Sequence, residues 1–394
     1  MDNNLININI DLYINDLIKK ALKYNSSDIH IEPMDKTFAR IRFRVDGKLI
    51  NITEMTYEEY KKLITRIKLS SKLDIAEKRR PQDGYLKLDR FPHIDFRISS
   101  LNTIVGEKLV LRILSLDYFK KSSNLLGFSE NSKNILQKAI KNKSGMIIFT
   151  GPTGSGKSTS LYSLLNHLND DSVNIVTVEN PVEINVMGIN QISVNNKIDF
   201  SFANALRSIL RQDPDIIMIG EIRDQETAKM AIRAAITGHL VLSTLHTTDA
   251  ISSIARLRDL GIEDYLIGQS VSILAGQRLV RKLCDCKIKR KITISEYNLL
   301  KRYFDIKKDQ EVYDACGCNK CNDGYLGREA VEEVLVFNDD YKKLLLENKD
   351  YSKNELDRLY KIKDFKSMTY NGLRKVLDGV TSFSEVFDSI YYID

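Results

Sequence analysis

Residues 151–159, Gly-Pro-Thr-Gly-Ser-Gly-Lys-Ser-Thr, carry the spacing G-x-x-x-x-G-K-[ST]. They lie between an apolar strand pattern at 146–150 and a helical pattern at 158–168, the context in which this motif binds phosphate. Gly151, Gly154 and Gly156, with Pro152, Thr153 and Ser155 between them, let successive backbone N–H groups curl around an anion. The start of the following helix adds positive potential. Lys157 is placed to reach the outer phosphates and Ser158 to ligate Mg²⁺, and Thr159 completes the run of expected nucleotide contacts.

Three later apolar strands, expected at 173–178, 216–219 and 240–244, each run into a group able to do acid–base or metal chemistry. These are Glu179 and Glu183, then Glu221, then His246. Ligands of open α/β sheets collect at the carboxyl ends of the strands, so four strand exits converge on one site. The run Asp-Pro-Asp-Ile-Ile-Met-Ile-Gly-Glu ends in Gly220-Glu221, which leaves no strand-end Asp for direct metal contact. Glu221 is the first choice to orient or activate an attacking water, with Glu179 and Glu183 sharing that work or holding magnesium through its waters. The plainer alternative is that these are surface carboxylates at the starts of loops.

Those side chains need a scaffold. From Gly127 onward strand and helix patterns alternate, which implies a mostly parallel sheet with helices on both faces. Ser129 is a natural cap for a helix with its apolar stripe at Ile135, Leu136, Ala139 and Ile140. Upstream, Ile41, Phe43 and Val45 alternate with Arg40, Arg42 and Arg44, and Asp46-Gly47 turns the chain into a second strand, so one face of this hairpin is basic. A helix at 57–69 and strands at 94–99 and 108–114 follow, and the polar run 120–124 is the expected hinge. The resulting division is an N-terminal α/β lobe at 1–119, a linker at 120–126, a P-loop core at 127–283, a cysteine-bearing insert at 284–327 and a helical C-terminal segment at 328–394.

Composition sets outer limits. A chain of 394 residues has room for two or three compact units. Its 59 basic and 53 acidic side chains leave a net charge of +6, which argues neither for nor against a nucleic-acid partner. Apolar runs such as 146–149 fall far short of the roughly 20 residues of a membrane span, and the first residues carry no export signal. Five cysteines, four of them in two short clusters, suit metal ligation in a reducing compartment better than a disulfide framework, and a cytoplasmic location is expected.

The segments SDIHIEP, RFRVDG, RRPQDG, GPTGSGKST, VENPVE, LRSILRQDPDIIMIGEIRDQETA and TGHLVLSTLHTTDA together resemble the secretion ATPase superfamily of type II secretion and type IV pili. That resemblance implies a two-lobed subunit, with a PAS-like N-terminal lobe and a RecA-like P-loop lobe. It also implies a ring of six subunits, with ATP held between lobes. By the same resemblance Arg97, Arg112, Arg207, Arg211 and Arg328 match the family's phosphate-directed arginines, and His239 and His246 its His box, with His246 sensing the γ-phosphate. Arg207 and Arg211 are one helical turn apart and share a face, while Arg97 and Arg112 sit on strands opposite apolar neighbours. Solvated or carboxylate-paired arginines are the alternative. Asn180 stands where the family has Asp in its acidic box.

Relatives that extend pili or pseudopili carry two C-x-x-C pairs that bind zinc. Here Cys318-Asn-Lys-Cys321 is intact, Cys284-Asp-Cys286 is one residue short, and Cys316 is an extra thiol. A Cys284, Cys286, Cys318, Cys321 zinc site, a set in which Cys316 replaces one of the first pair, and free thiols all stay open. The cysteines favour extension over retraction. The roughly 25 residues before SDIHIEP are too few for the additional docking domain of larger members, which suggests the short form.

The resemblance therefore implies a cytoplasmic hexameric ATPase that uses ATP, Mg²⁺ and Zn²⁺, works with a polytopic inner-membrane platform protein and meets the membrane through its partners. Direct nucleic-acid contact is not expected. Two rivals remain, a conjugation-type nucleic-acid translocase and a nucleotide-gated scaffold without turnover. The first predicts a basic groove with interleaved aromatics, and the chain has no Trp. The second predicts loss of Lys157 or Glu221, and both are present.

Overall fold

The computed structural model describes residues 9–115, 127–195, 198–347 and 365–390, so the linker expected at 120–126 lies outside the described residues. The chain divides into two compact units, Met1–Lys120 and Lys121–Asp394.

In the first unit, α1 (Ile10–Lys23) starts at an Asn9 cap that accepts from the Asp11 and Leu12 amides. Strands β1 (Asp28–Pro33), β2 (Phe38–Val45) and β3 (Lys48–Thr56) lead into α2 (Tyr57–Ser70), which opens on a Thr56/Glu59 capping box. Then come β4 (Gln82–Lys87), β5 (Ile94–Asn102) and β6 (Glu107–Ser115). The six strands form one antiparallel sheet in the order β3-β2-β1-β6-β5-β4. Period-two alternation puts Ile29, Ile31, Ile41, Phe43, Phe96, Ile98 and Leu111 on one face, buried with Ile18, Leu63 and Ile67 of the helices. The other face carries the basic stripe, which is partly neutralised. Burial raises the Glu32 carboxyl, but hydrogen bonds from Arg42 and Lys108, with Arg40, outweigh that and hold it at about 2.

The second unit begins with α3 (Glu130–Ala139), where the Ser129 hydroxyl accepts from the Ser132 amide at 3.2 Å. Next are β7 (Gly145–Thr150), α4 (Lys157–Leu168), β8 (Ile175–Glu179), β9 (Asn190–Ser193), α5 (Phe202–Ile209), β10 (Ile216–Ile219), α6 (Gln225–Ile236) and β11 (Leu240–Leu245). The chain continues through α7 (Ser252–Asp259), α8 (Asp264–Ser270), β12 (Val271–Leu283), β13 (Ile288–Lys291), α9 (Ile294–Leu300), β14 (Glu311–Asp314) and β15 (Tyr325–Val336). It ends in α10 (Asp339–Glu347), α11 (Met368–Leu377) and α12 (Phe383–Ser389). Seven strands form a sheet in the order β15-β12-β7-β11-β10-β8-β9, parallel throughout except for β15. The mixed α/β class expected from the alternating pattern is the one observed.

One expected boundary differs. Residues 328–336 do not open the helical segment but belong to β15, paired along β12 from Ile273–Val336 to Leu283–Tyr325. Two adjacent glutamates, Glu332 and Glu333, break the apolar pattern there, yet both are buried. Helices follow only from Asp339.

Candidate active site

The phosphate loop leaves the carboxyl end of β7, the strand flanked by β12 and β11. Gly151 has φ 146°, and a Cβ there would lie 2.4 Å from the Gln277 carbonyl oxygen and 2.7 Å from Ser155 Oγ. Gly156, at φ 89°, opens α4, and a Cβ on it would meet Gln277 Nε2 at 2.8 Å. No side-chain residue fits either position. Gln277 is thus the buttress of the loop, and its Oε1 also accepts from Ser160 Oγ at 2.8 Å.

Lys157 is 7% exposed, and its Nζ donates to the Gly151 carbonyl at 2.7 Å and the Pro152 carbonyl at 2.9 Å. Burial pulls its ammonium down to about 8, Glu221 opposes that, and Arg278 adds to it. A desolvated ammonium of this kind gains from a bound anion, which restores the lost solvation. Two further observations fit a phosphate ligand. The buried Ser155 hydroxyl has no hydrogen-bond partner among the described residues, and Ser158 is exposed at the first turn of α4, open to a magnesium ion. Pro152, Thr153 and Gly154 are exposed along the same loop, and Thr159 is half-buried.

Glu221 and His246 follow β10 and β11, which are hydrogen-bonded neighbours in register from Ile216–Leu240 to Ile219–Ser243. This adjacency brings His246 Nε2 to 3.2 Å from Glu221 Oε2. A carboxylate only accepts, so Nε2 carries the proton in this pair. Arg223 Nε reaches the same oxygen at 2.7 Å. The loop after β11 is tied to the phosphate strand by a hydrogen bond between the Thr150 and Thr247 hydroxyls and by the Thr247 amide donating to Thr150 Oγ1 at 3.2 Å.

The other expected carboxylates are placed differently. Glu179 is 5% exposed and fully engaged, accepting from Tyr162 Oη at 2.5 Å, Thr177 Oγ1 at 2.7 Å and Gln191 Nε2 at 3.3 Å. Its carboxylate joins α4, β8 and β9 instead of meeting Glu221. Glu183 is exposed beyond the cis Asn180–Pro181 bond, and its charge helps raise the Tyr162 hydroxyl. His239 sits at the opposite end of β11 from His246, seven residues or roughly 23 Å away, with Nδ1 3.0 Å from the Ala234 carbonyl oxygen.

Of the arginines, Arg97 and Arg112 stand directly opposite each other on β5 and β6 of the first unit. Two like charges in that register repel, and Asp28 relieves them by accepting from Arg112 Nε at 3.0 Å. Arg207 donates to Asn204 Oδ1 at 2.6 Å and pairs with Glu226, and Arg211 turns back onto the Arg207 carbonyl at 2.7 Å. Those two bond to their own helix and α6, not to the phosphate loop. Arg328 lies exposed on β15 opposite Arg281, on the sheet face shared by Gln277 and Leu279.

The cysteines converge despite the shortened first pair. Cys284 follows β12, Cys286 precedes β13, and Cys318 and Cys321 lie between β14 and β15. Their sulfurs all fall within 4.8 Å of one another, with Cys284–Cys318 at 3.9 Å, Cys286–Cys321 at 3.8 Å and Cys318–Cys321 at 3.6 Å. Four thiolates at the zinc–sulfur distance of about 2.3 Å around a tetrahedral ion have S···S edges of about 3.8 Å, so the donor set fits zinc. A hydrogen bond from the Lys320 amide, helped by Cys321, lowers the Cys318 thiol to about 7. Cys316 is exposed and stands outside the group.

The family model described as "Type II/IV secretion system protein" matches residues 6–388. The chain belongs to this family. It is 44% identical over 380 residues to the type IV pilus assembly ATPase PilB of Acinetobacter baylyi, covering 95% of this chain and 65% of that protein. It is 45% identical to the putative type II secretion system protein E of Escherichia coli, covering 95% and 75%. The chain thus spans about two thirds to three quarters of the length of these relatives. Among solved structures, the pilus retraction motor PilT with bound ADP aligns with a TM-score of 0.65 and 26% identity over 95% of this chain and 94% of that one.

In this secretion-family chain Gln277, Arg223, Tyr162 and Gln191 join the expected residues of the site. A partial sequence signal existed for the first: Gln277 follows the mostly apolar stretch 271–275, within β12 just past the point where its pairing with β7 ends at Gly276–Thr150. Tyr162 and Gln191 had none, because only the packing of α4 and β9 on β8 brings them to Glu179.

Proposed function

We propose that this secretion-family chain binds Mg-ATP at residues 151–159 and hydrolyses it. In this reading Glu221 orients the attacking water and His246 holds Glu221 in place. The observation that carries the proposal is the Glu221–His246 pair at 3.2 Å, with the desolvated Lys157 close enough to feel the Glu221 charge. Nζ exchanges its loop carbonyls for phosphate oxygens, and the loop amides and the start of α4 supply the remaining positive potential. Ser158 would hold a magnesium ion, which would neutralise charge on the phosphates. Glu179 acts by positioning α4 through Tyr162, and Glu183 lies at its margin. Arg97 and Arg112 form a cationic pair assigned to rate over affinity, and Arg207, Arg211 and Arg328 to nucleotide contacts in the assembled protein. Cys284, Cys286, Cys318 and Cys321 hold a structural zinc that pins the end of β12 to the start of β15.

The work done is assembly of a type IV pilus, type II secretion or competence pseudopilus by a six-membered ring acting on a polytopic membrane platform protein from the cytoplasmic side. The names of the relatives support the pilus and secretion part of this reading. Among the described residues no helix is long and apolar enough to cross a membrane, in keeping with attachment through a partner. Steady-state ATP turnover, measured with and without DNA, tests the reading. Turnover independent of DNA is expected. Turnover seen only with DNA would favour a translocase, and its absence in both would leave a scaffold.

A further inference from the structure

Glu333 lies in the middle of β15, opposite Gly276 of β12, and is 2% exposed. Its two oxygens take amides from two distant segments. Ala250 N donates to Oε1 at 2.7 Å, from the loop that begins with His246, and Met368 N donates to Oε2 at 3.0 Å, from the first turn of α11. Gly276 makes room for this, since a Cβ there would lie 2.9 Å from Glu333 Cγ and Oε1 and 3.1 Å from Ala250 N. The same loop is held on two other sides. Arg278 donates to the Thr248 carbonyl at 3.2 Å, and Thr247 is tied to Thr150 at the root of the phosphate loop.

A buried carboxylate that accepts two backbone amides fixes both donors, because each would otherwise be an unsatisfied buried group. We infer that Glu333 is a positioning residue, which fixes the 246–250 loop so that His246 meets Glu221 and couples that loop to the C-terminal helix α11. The inference rests on the proposed roles of Glu221 and His246. The groups facing the carboxyl are Asp249 from the loop and Arg278 from β12, together with the positive end of the α11 dipole at Met368. Burial outweighs the two amides and pushes Glu333 up to about 7. Ionisation strengthens both amide hydrogen bonds but costs the buried carboxylate its solvation, so the clamp changes state as pH rises through neutrality.

The test uses the full chain with Glu333→Gln and Met368→Pro. A glutamine can accept only one of the two amides well. Proline removes the Met368 N–H, at the first helical position where it is tolerated, after a Ser367 already extended at ψ 160°, together with the buried Met368 side chain, and Met368→Ala controls for the loss of that side chain. Two readouts are taken, hydrogen–deuterium exchange over 246–251 and 365–371 and steady-state ATP turnover against pH. Glu333→Gln is expected to speed exchange in both segments and lower kcat about tenfold or more with KM changed less than about threefold. It should also abolish an inflection of kcat near pH 7. Met368→Pro should speed exchange over 246–251 as well and move that inflection to higher pH, and it carries the test alone if the glutamine variant does not fold. Unchanged exchange over 246–251, or faster exchange with wild-type kcat, overturns the inference. Wild-type protein with no ATP turnover overturns the proposed ATPase instead, and the exchange comparison still decides whether the clamp exists.

Discussion

His246 Nε2 lies 3.2 Å from Glu221 Oε2, and Arg223 Nε lies 2.7 Å from that same oxygen. One carboxylate oxygen thus carries both partners, and the proposed water falls to the other. Glu221→Gln keeps the shape but weakens the acceptor. Nucleotide affinity within about threefold of wild type and turnover reduced about 100-fold or more are expected. Lys157→Ala should instead lose nucleotide binding, as read by fluorescent nucleotide titration. Turnover by the Glu221→Gln protein within a few-fold of wild type would remove Glu221 from its assigned role.

Zinc is expected at about one ion per chain by elemental analysis, because three of the sulfur pairs stand at 3.6–3.9 Å and all four sulfurs lie within 4.8 Å of one another. Changing Cys318 and Cys321 together to Ser should release it and lower the thermal midpoint, whereas Cys316→Ser should leave the metal content unchanged. Metal-free protein after growth in zinc-replete medium would leave the cluster as free thiols.

Arg112 is held by Asp28 beside Arg97, a geometry that stores two positive charges side by side. Arg112→Ala is expected to leave Mg-ATP affinity within about tenfold of wild type and to lower kcat much further, since a contact made mainly in the transition state affects rate over binding. On the proposed six-membered ring, turnover per subunit should also rise with protein concentration. A turnover per subunit that is constant from dilute to concentrated protein would argue for a monomeric enzyme.

Glu333 also predicts how stability changes with pH. Its folded-state carboxyl stands at about 7 against an ordinary 4.5, so between those values the folded chain keeps a proton that the unfolded chain has released. The stability this contributes is fully present below pH 4.5 and is lost as pH climbs to about 7. Denaturant titrations of wild type and Glu333→Gln should therefore diverge across that window by up to about 3 kcal/mol, with wild type losing stability relative to the variant as pH rises. Parallel curves would place the carboxyl at its ordinary value.

The phosphate loop, its flanking strand and helix, and the three strand exits at Glu179, Glu221 and His246 were legible in the sequence. Their signals are local: glycines at positions of positive φ, an apolar run of strand length, a capping residue at a fixed offset. Which exits meet was not local. β10 and β11 are neighbours in the sheet, so Glu221 and His246 pair, whereas Glu179 on β8 turns to Tyr162 and Gln191. The register of β5 and β6 set Arg97 against Arg112, and the return of the chain through β14 and β15 brought four sulfurs together across a spacer that sequence alone left open. Glu332 and Glu333 are the clearest case, since two adjacent glutamates look like a solvated surface until the strand carrying them is buried on both faces. Burial of a charge depends on what packs over it, and that is decided by contacts between residues far apart in the chain.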